Sequence, residues 1–62
     1  MDQIIAIQQC GRKAAEARRN GDEATAKFEH LYAQKMIALE DDRRAGQAAF
    51  SDAYRDFLSG YR

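Results

Sequence analysis

EARRNGDEATAKF, residues 16–28, decides the fold. Arg18 and Arg19 bring positive charge to the end of one helical stretch, where cations complement the partial negative charge of unsatisfied carbonyls. Asn20 and Gly21 tolerate the left-handed backbone that stops a helix, and Asp22 offers a carboxylate to the free N–H groups of the next one. So short a link makes the second helix turn back beside the first. The expectation is an antiparallel helical hairpin, with helices over about 3–19 and 23–45.

The composition around this turn supports helix throughout. The chain has no Val, one Thr and no Pro, whereas twelve Ala and many Gln, Glu, Lys and Arg favour the α conformation. Asp2 is the expected N-cap of helix one. Helix two is harder to end. Glu40, Asp41 and Asp42 at a helix C-terminus would oppose its dipole, so the expected ending lies among Arg43, Arg44 and Gly46, unless the helix bends at Gly46 and continues. A third amphipathic helix follows, over about 47–59, with Gly60 as its C-cap. The fold class is all-α, a single domain over 1–62.

The apolar positions are arranged in several stripes. On helix two, Ala24, Phe28, Leu31, Tyr32, Ala38 and Leu39 share one broad side, interrupted by Lys35. Ala26, Ala33 and Ile37 make a second, narrower line. A helix apolar on two sides touches two neighbours, which points to a homodimeric helical bundle. On helix one, Ile4, Ile7, Gly11 and Ala14 taper from large to small. Gly11 and Ala15 allow another helix to approach closely, with Phe28 or Tyr32 as candidates to fill the gap. On helix three, Phe50, Tyr54, Phe57 and Tyr61 follow one another at steps of four, three and four. Those rings are either the inside of the protein or a gripping surface, and both hold if they bury across a dimer interface.

Size sharpens the need for a partner. Leu, Ile, Val and Phe total ten of 62 residues, a fraction at which disorder is a concern. Net charge of zero and clean periodicity oppose it. Chains below about 70–80 residues seldom obtain more than ~3–5 kcal/mol from their core without a disulfide, a metal or a second chain. The lone Cys10 excludes an intrachain disulfide and fits a reducing compartment. An acid near the start, and no apolar run approaching ~20 residues, give the expectation of a cytoplasmic protein without a membrane span.

Chemical signatures are missing. His30 has no second histidine and no Glu at ligand spacing, so no metal or cofactor is expected. A Cys10–His30 nucleophile pair would need a shared pocket and an orienting group. Glu40, Asp41 and Asp42 lack the alternating spacing of a calcium loop. They read as an acidic patch, with Glu40–Arg44 and Glu23–Lys27 as possible helical pairs. Arg12, Lys13, Arg18 and Arg19 raise nucleic acid as an alternative, but a polyanion ligand is normally met by a basic excess, and here ten acids balance ten bases. A DNA-reading helix-turn-helix fails because Asp22 and Lys27 stand where apolar residues should lock the two helices.

In length, hairpin and expected dimerisation the chain is similar in outline to the Rop family of dimeric four-helix bundles, without that family's Leu-rich heptads. The stretch EARRNGDEATAKFEHLYAQKM resembles the short Ala- and Arg-rich helical proteins of phages and prophages, several of which disable a host regulator or machine. The resemblance implies a small inhibitor or modulator acting on another protein. The expected function is a non-enzymatic protein-binding module that occludes a surface of its partner. Its anchors are Tyr32, Met36, Ile37, Tyr54, Phe57 and Tyr61, and Glu40, Asp41 and Asp42 steer the approach. Ile4, Ile7, Gly11, Ala14, Phe28, Leu31 and Leu39 are assigned to helix packing and the dimer.

Overall fold

A computed structural model describes residues 3–60. The expected cap at Asp2 and the expected anchor at Tyr61 lie outside the described residues. Three helices follow one another, α1 (Gln3–Arg19), α2 (Glu23–Leu39) and α3 (Arg43–Gly60), and no strand occurs among the described residues.

The first turn is built as its residues require. The Asp22 N–H donates to the Ala17 carbonyl at 2.8 Å and the Gly21 N–H to the Arg18 carbonyl at 3.1 Å. This paired return of N–H groups is a Schellman ending, and it needs the φ of +79° found at Gly21. Asp22 then accepts from the Thr25 N–H at 3.1 Å and caps α2. Hydrogen bonding with Thr25, through its side chain and then its backbone, pulls the Asp22 pKa below the ordinary carboxyl range. The ionised cap is therefore favoured by folding: its contribution is complete above the ordinary range and is lost as pH falls through the lowered folded value.

The second turn corrects the expected bounds of 23–45 and 47–59. α2 stops at Leu39, and Glu40 is extended at φ −78°, ψ 142°, with its N–H donating to the Ile37 carbonyl. Asp42 is the cap of α3 and accepts from the Ala45 N–H at 3.1 Å. The acid at residue 42 thus faces the positive start of the following helix, and no dipole conflict arises. With residues 40–42 outside both helices, Glu40 and Arg44 are not a helical pair. Gly46, expected at a bend or a break, is buried near the start of α3. Asp42→Ala is expected to lose about 1 kcal/mol of stability, whereas Asp41→Ala stays within ~0.5 kcal/mol. Urea titration of the two variants side by side checks the difference.

α1 lies in the middle and packs along both other helices, which touch one another far less. Ile7 and Ile37 both lie beside Gly46, and Gly11 lies beside the α3 backbone at Phe50 and Tyr54. Sequence numbers rise together along α1 and α3, so these two helices point the same way. The core is thin. It gathers Ile7, Cys10, Ala14, Ala33, Ile37 and Phe50, with Ile4, Met36, Ala49 and Tyr54 packed at its margin. Ile7 is the largest side chain that is fully enclosed.

The broad stripe of α2 faces away from this core, another correction. Phe28, Leu31, Tyr32 and Leu39 are 64%, 54%, 52% and 76% exposed, while Ala33 and Ile37 of the narrow line are buried. The reason is the small surface α1 offers. Cys10, Ala14 and Ala17 pack closely only against a helix that is itself slim at the contact, as α2 is at Ala26 and Ala33. A wall of Phe28, Leu31 and Tyr32 would hold the two helices apart and leave voids that a well-packed interior does not tolerate. The gap at Gly11 is likewise filled by α3 backbone, not by Phe28 or Tyr32.

Candidate interaction surfaces

Two surfaces stand out. The first is the outer side of α2. At about 100° per residue, Phe28, Leu31, Tyr32, Lys35 and Leu39 project opposite to Ala33 and Ile37. Phe28 and Tyr32, four residues apart, stack with their ring centroids at 6.3 Å and an interplanar angle of 6°. Leu31, Tyr32, Gln34, Lys35 and Ala38 continue the patch around a shallow depression. Single exposed apolar residues are ordinary, but a contiguous stripe of this kind on a monomer marks an interaction site.

The second surface is a groove between α2 and α3, opened by the limited contact of those helices. It encloses about 960 Å³. Its floor and walls are Ala14 of α1, Ala26 of α2, and Phe50, Tyr54 and Leu58 of α3. His30 and Phe50 meet edge to face with ring centroids at 5.2 Å, and Tyr54 stacks on Phe50 at 6.1 Å. The rim carries Arg18, Lys27, Arg55 and Glu23. Arg18 donates to the Tyr54 hydroxyl at 3.3 Å, a neutral partner. Arg55 reaches Asp52 at 3.5 Å with both side chains largely in water. Such an exposed pair contributes little to stability.

The anchors expected from sequence are not gathered in one place. Tyr32 belongs to the outer side of α2, Tyr54 lines the groove, Met36 packs on the core margin and Ile37 is buried. Ile37 thus holds the helices together and is not available to a partner. Phe57 is half-buried, Asp41 and Asp42 are exposed, and Glu40 is half-buried. Of the packing residues, Ile7, Gly11 and Ala14 are buried and Ile4 joins the core margin, whereas Phe28, Leu31 and Leu39 look outward. Arg12, Lys13, Arg18 and Arg19 are exposed. Arg12 and Arg19, seven apart, share a side of α1, but Lys13 and Arg18 point elsewhere, so no continuous basic face forms.

Cys10 and His30 are not paired. Burial, followed by a hydrogen bond with Glu29, pushes the Cys10 thiol above its ordinary pKa. A reactive thiol needs the opposite shift. Among the described residues no group of three or more His, Cys, Asp or Glu is placed to hold a metal ion, and no helix is long and apolar enough to cross a membrane. Sequence reasoning missed the groove, which arises from the limited contact of α2 with α3. No protein-family model, curated protein or solved structure matches the chain.

Proposed function

We propose that the chain is a non-enzymatic protein-binding module that works as a homodimer and modulates another protein by covering a surface that protein uses. The observation that carries this is the outer side of α2, which leaves its largest side chains in water. Ala24, Phe28, Leu31, Lys35 and Ala38 alternate at steps of four and three, the repeat of helices that pack along a shared seam. Phe28, Leu31, Tyr32 and Leu39 expose on the order of 500 Å² per copy, the size of an interaction patch. Doubled across a two-fold axis, that patch reaches the ~1,000 Å² that a specific interface needs. In each protomer α1 and α2 form an antiparallel hairpin, a geometry supported by the approach of Cys10 to Glu29 and by the shared place of Ala14 with Ala26 and His30. The pairing leaves the α2–α3 groove open for the partner, in the manner of the phage-type modulators the sequence resembles.

Leu31→Glu tests the dimer. Burying a polar group without a partner costs at least about 2 kcal/mol per copy, and an ionised carboxylate costs more. A symmetric interface meets the change twice, which amounts to roughly a thousandfold weaker self-association. Sedimentation is expected to give twice the 7.0 kDa chain mass for the parent and a single-chain mass for the variant, with unchanged helicity. A parent that sediments as one chain throughout the concentration range removes the dimer.

A further inference from the structure

The geometry points to one occupant for the α2–α3 groove: an amphipathic helix of another protein, with its apolar side on the floor and acidic side chains on its flanks. The assignment rests on the protein-binding role proposed above and names the chemistry of the partner.

Shape is the first argument. α1 forms a floor and α2 and α3 form two walls, so the vacant position is that of a fourth helix packed on three. A helix about 10 Å across rises about 1.5 Å per residue, so roughly eight residues, two turns and a little more, fill the 960 Å³ of the groove. The walls have matching length, since the lining runs from Glu23 to His30 on α2 and from Phe50 to Ser59 on α3. The floor is small at Ala14 and Ala26 and flat at the Phe50 and Tyr54 rings, which suits apolar side chains spaced at three and four residues.

Charge is the second argument. Among the described residues Lys27 forms no ion pair, and Arg18 is held only by the phenol of Tyr54. With Arg55, whose side chain also reaches Asp52 at 3.5 Å, they give the rim three cations against one lining acid, Glu23, on a chain whose net charge is zero. Carboxylates on an incoming helix would meet Arg18 from α1, Lys27 from α2 and Arg55 from α3, one from each element. The same cations disfavour a second copy of the chain as occupant, because the outer side of α2 itself presents a cation, Lys35, and no acid lines its depression.

Two synthetic helical peptides of about 16 residues test this, both with leucines at three- and four-residue spacing, one flanked by glutamates and its twin by lysines. Each is titrated into the isotope-labelled full chain, and also into Leu31→Glu so that self-association does not interfere, with amide shifts followed by NMR. The glutamate peptide is expected to move Ala26, His30, Phe50, Tyr54 and Leu58 and to bind at least about tenfold tighter than its twin, a preference that Lys27→Glu reduces by about tenfold. Lys27 makes no contact that folding needs, so this variant keeps the structure. Equal or tighter binding of the lysine twin in the groove would keep a protein site and overturn the acidic partner. Shifts confined to Phe28, Leu31 and Tyr32, no shifts with either peptide, or stronger shifts of the groove amides with a polythymidine oligonucleotide would each overturn the groove as a helix-docking site.

Discussion

Ile7→Ala is expected to leave the chain largely unfolded at room temperature. Ile7 has no exposed surface and is the largest side chain in the molecule that is fully enclosed. It sits where the three helices meet, with Ile37 of α2 and Gly46 of α3 within reach of its end. Truncating such a residue removes its transfer free energy and leaves a cavity, which together cost about 2–5 kcal/mol. A core of this size supplies only ~3–5 kcal/mol in all. Cys10, Ala14 and Ala33 line the same space and are too small to collapse into the hole. Ile7→Val removes one methylene, costs about 0.5–1.5 kcal/mol, and leaves a folded chain with a lower melting temperature. Circular dichroism melts of both variants, taken across a concentration series because self-association would add to stability, settle the ranking. A parent-like melt for Ile7→Ala would show that the small residues around it repack without loss.

Gly11→Ala carries the second large effect, and its sign is set by two opposed quantities. Replacing Gly by Ala inside a helix normally stabilises by about 0.8–1.0 kcal/mol. Here the new Cβ would stand 2.7 Å from the Phe50 carbonyl oxygen and 3.2 Å from the Ala53 Cβ. A backbone carbonyl in the middle of α3 cannot rotate away, so α1 and α3 must separate along their whole line of contact. Overpacking of this kind typically costs about 1–3 kcal/mol, occasionally more, and it exceeds the helix-propensity gain. A net loss of about 1 kcal/mol lowers the melting temperature of a domain this small by roughly 4–8 °C. Gly46→Ala is the control. Its Cβ would meet Ile37 Cγ1 at 3.3 Å, a side-chain atom that can shift by a few tenths of an ångström. The two effects nearly cancel there, and a near-parental melt is expected. If Gly11→Ala melts with or above the parent, the close approach of α1 and α3 is not what holds them.

Much of the architecture was written in local signals. The Asn20-Gly21-Asp22 turn was readable because each of its residues has a specific backbone or capping role, and the bounds of α1 followed from it. The second turn was misread for an equally specific reason. Three successive acids were judged by the helix before them, whereas Asp42 serves the helix after them. A cap belongs to the element it starts, and residue type alone does not say which side of a link an acid serves. The inward side of α2 was misread because apolar stripes were ranked by bulk. What chose the inward side was fit: α1 presents Cys10, Ala14 and Ala17, and only the slim line through Ala33 and Ile37 can lie close to it. Bulk measures how strongly a side chain avoids water, whereas packing against a narrow neighbour depends on shape. The groove was illegible for a related reason, since it arises from a contact that α2 and α3 do not make, and one-dimensional patterns record residues, not distances between helices.

The two surfaces differ in the work they suit. The α2 stripe is apolar apart from Lys35, which suits the homodimer proposed above. The groove is apolar below and basic at its edges, which fits a partner of opposite sign and sets the speed of encounter as much as its strength.

The placing of α1 between the other two helices carries a consequence for biosynthesis. Of the three helices, the one translated before the others is the one whose lodging is completed last, because one flank of it must wait for α3. A nascent chain halted after Asp42 would hold α1 against α2 alone, with Gly11 and Ala15 bare along an open edge. Chaperones and proteases would meet such a fragment as an unfinished object, and the ribosome must deliver α3 before the bundle becomes durable.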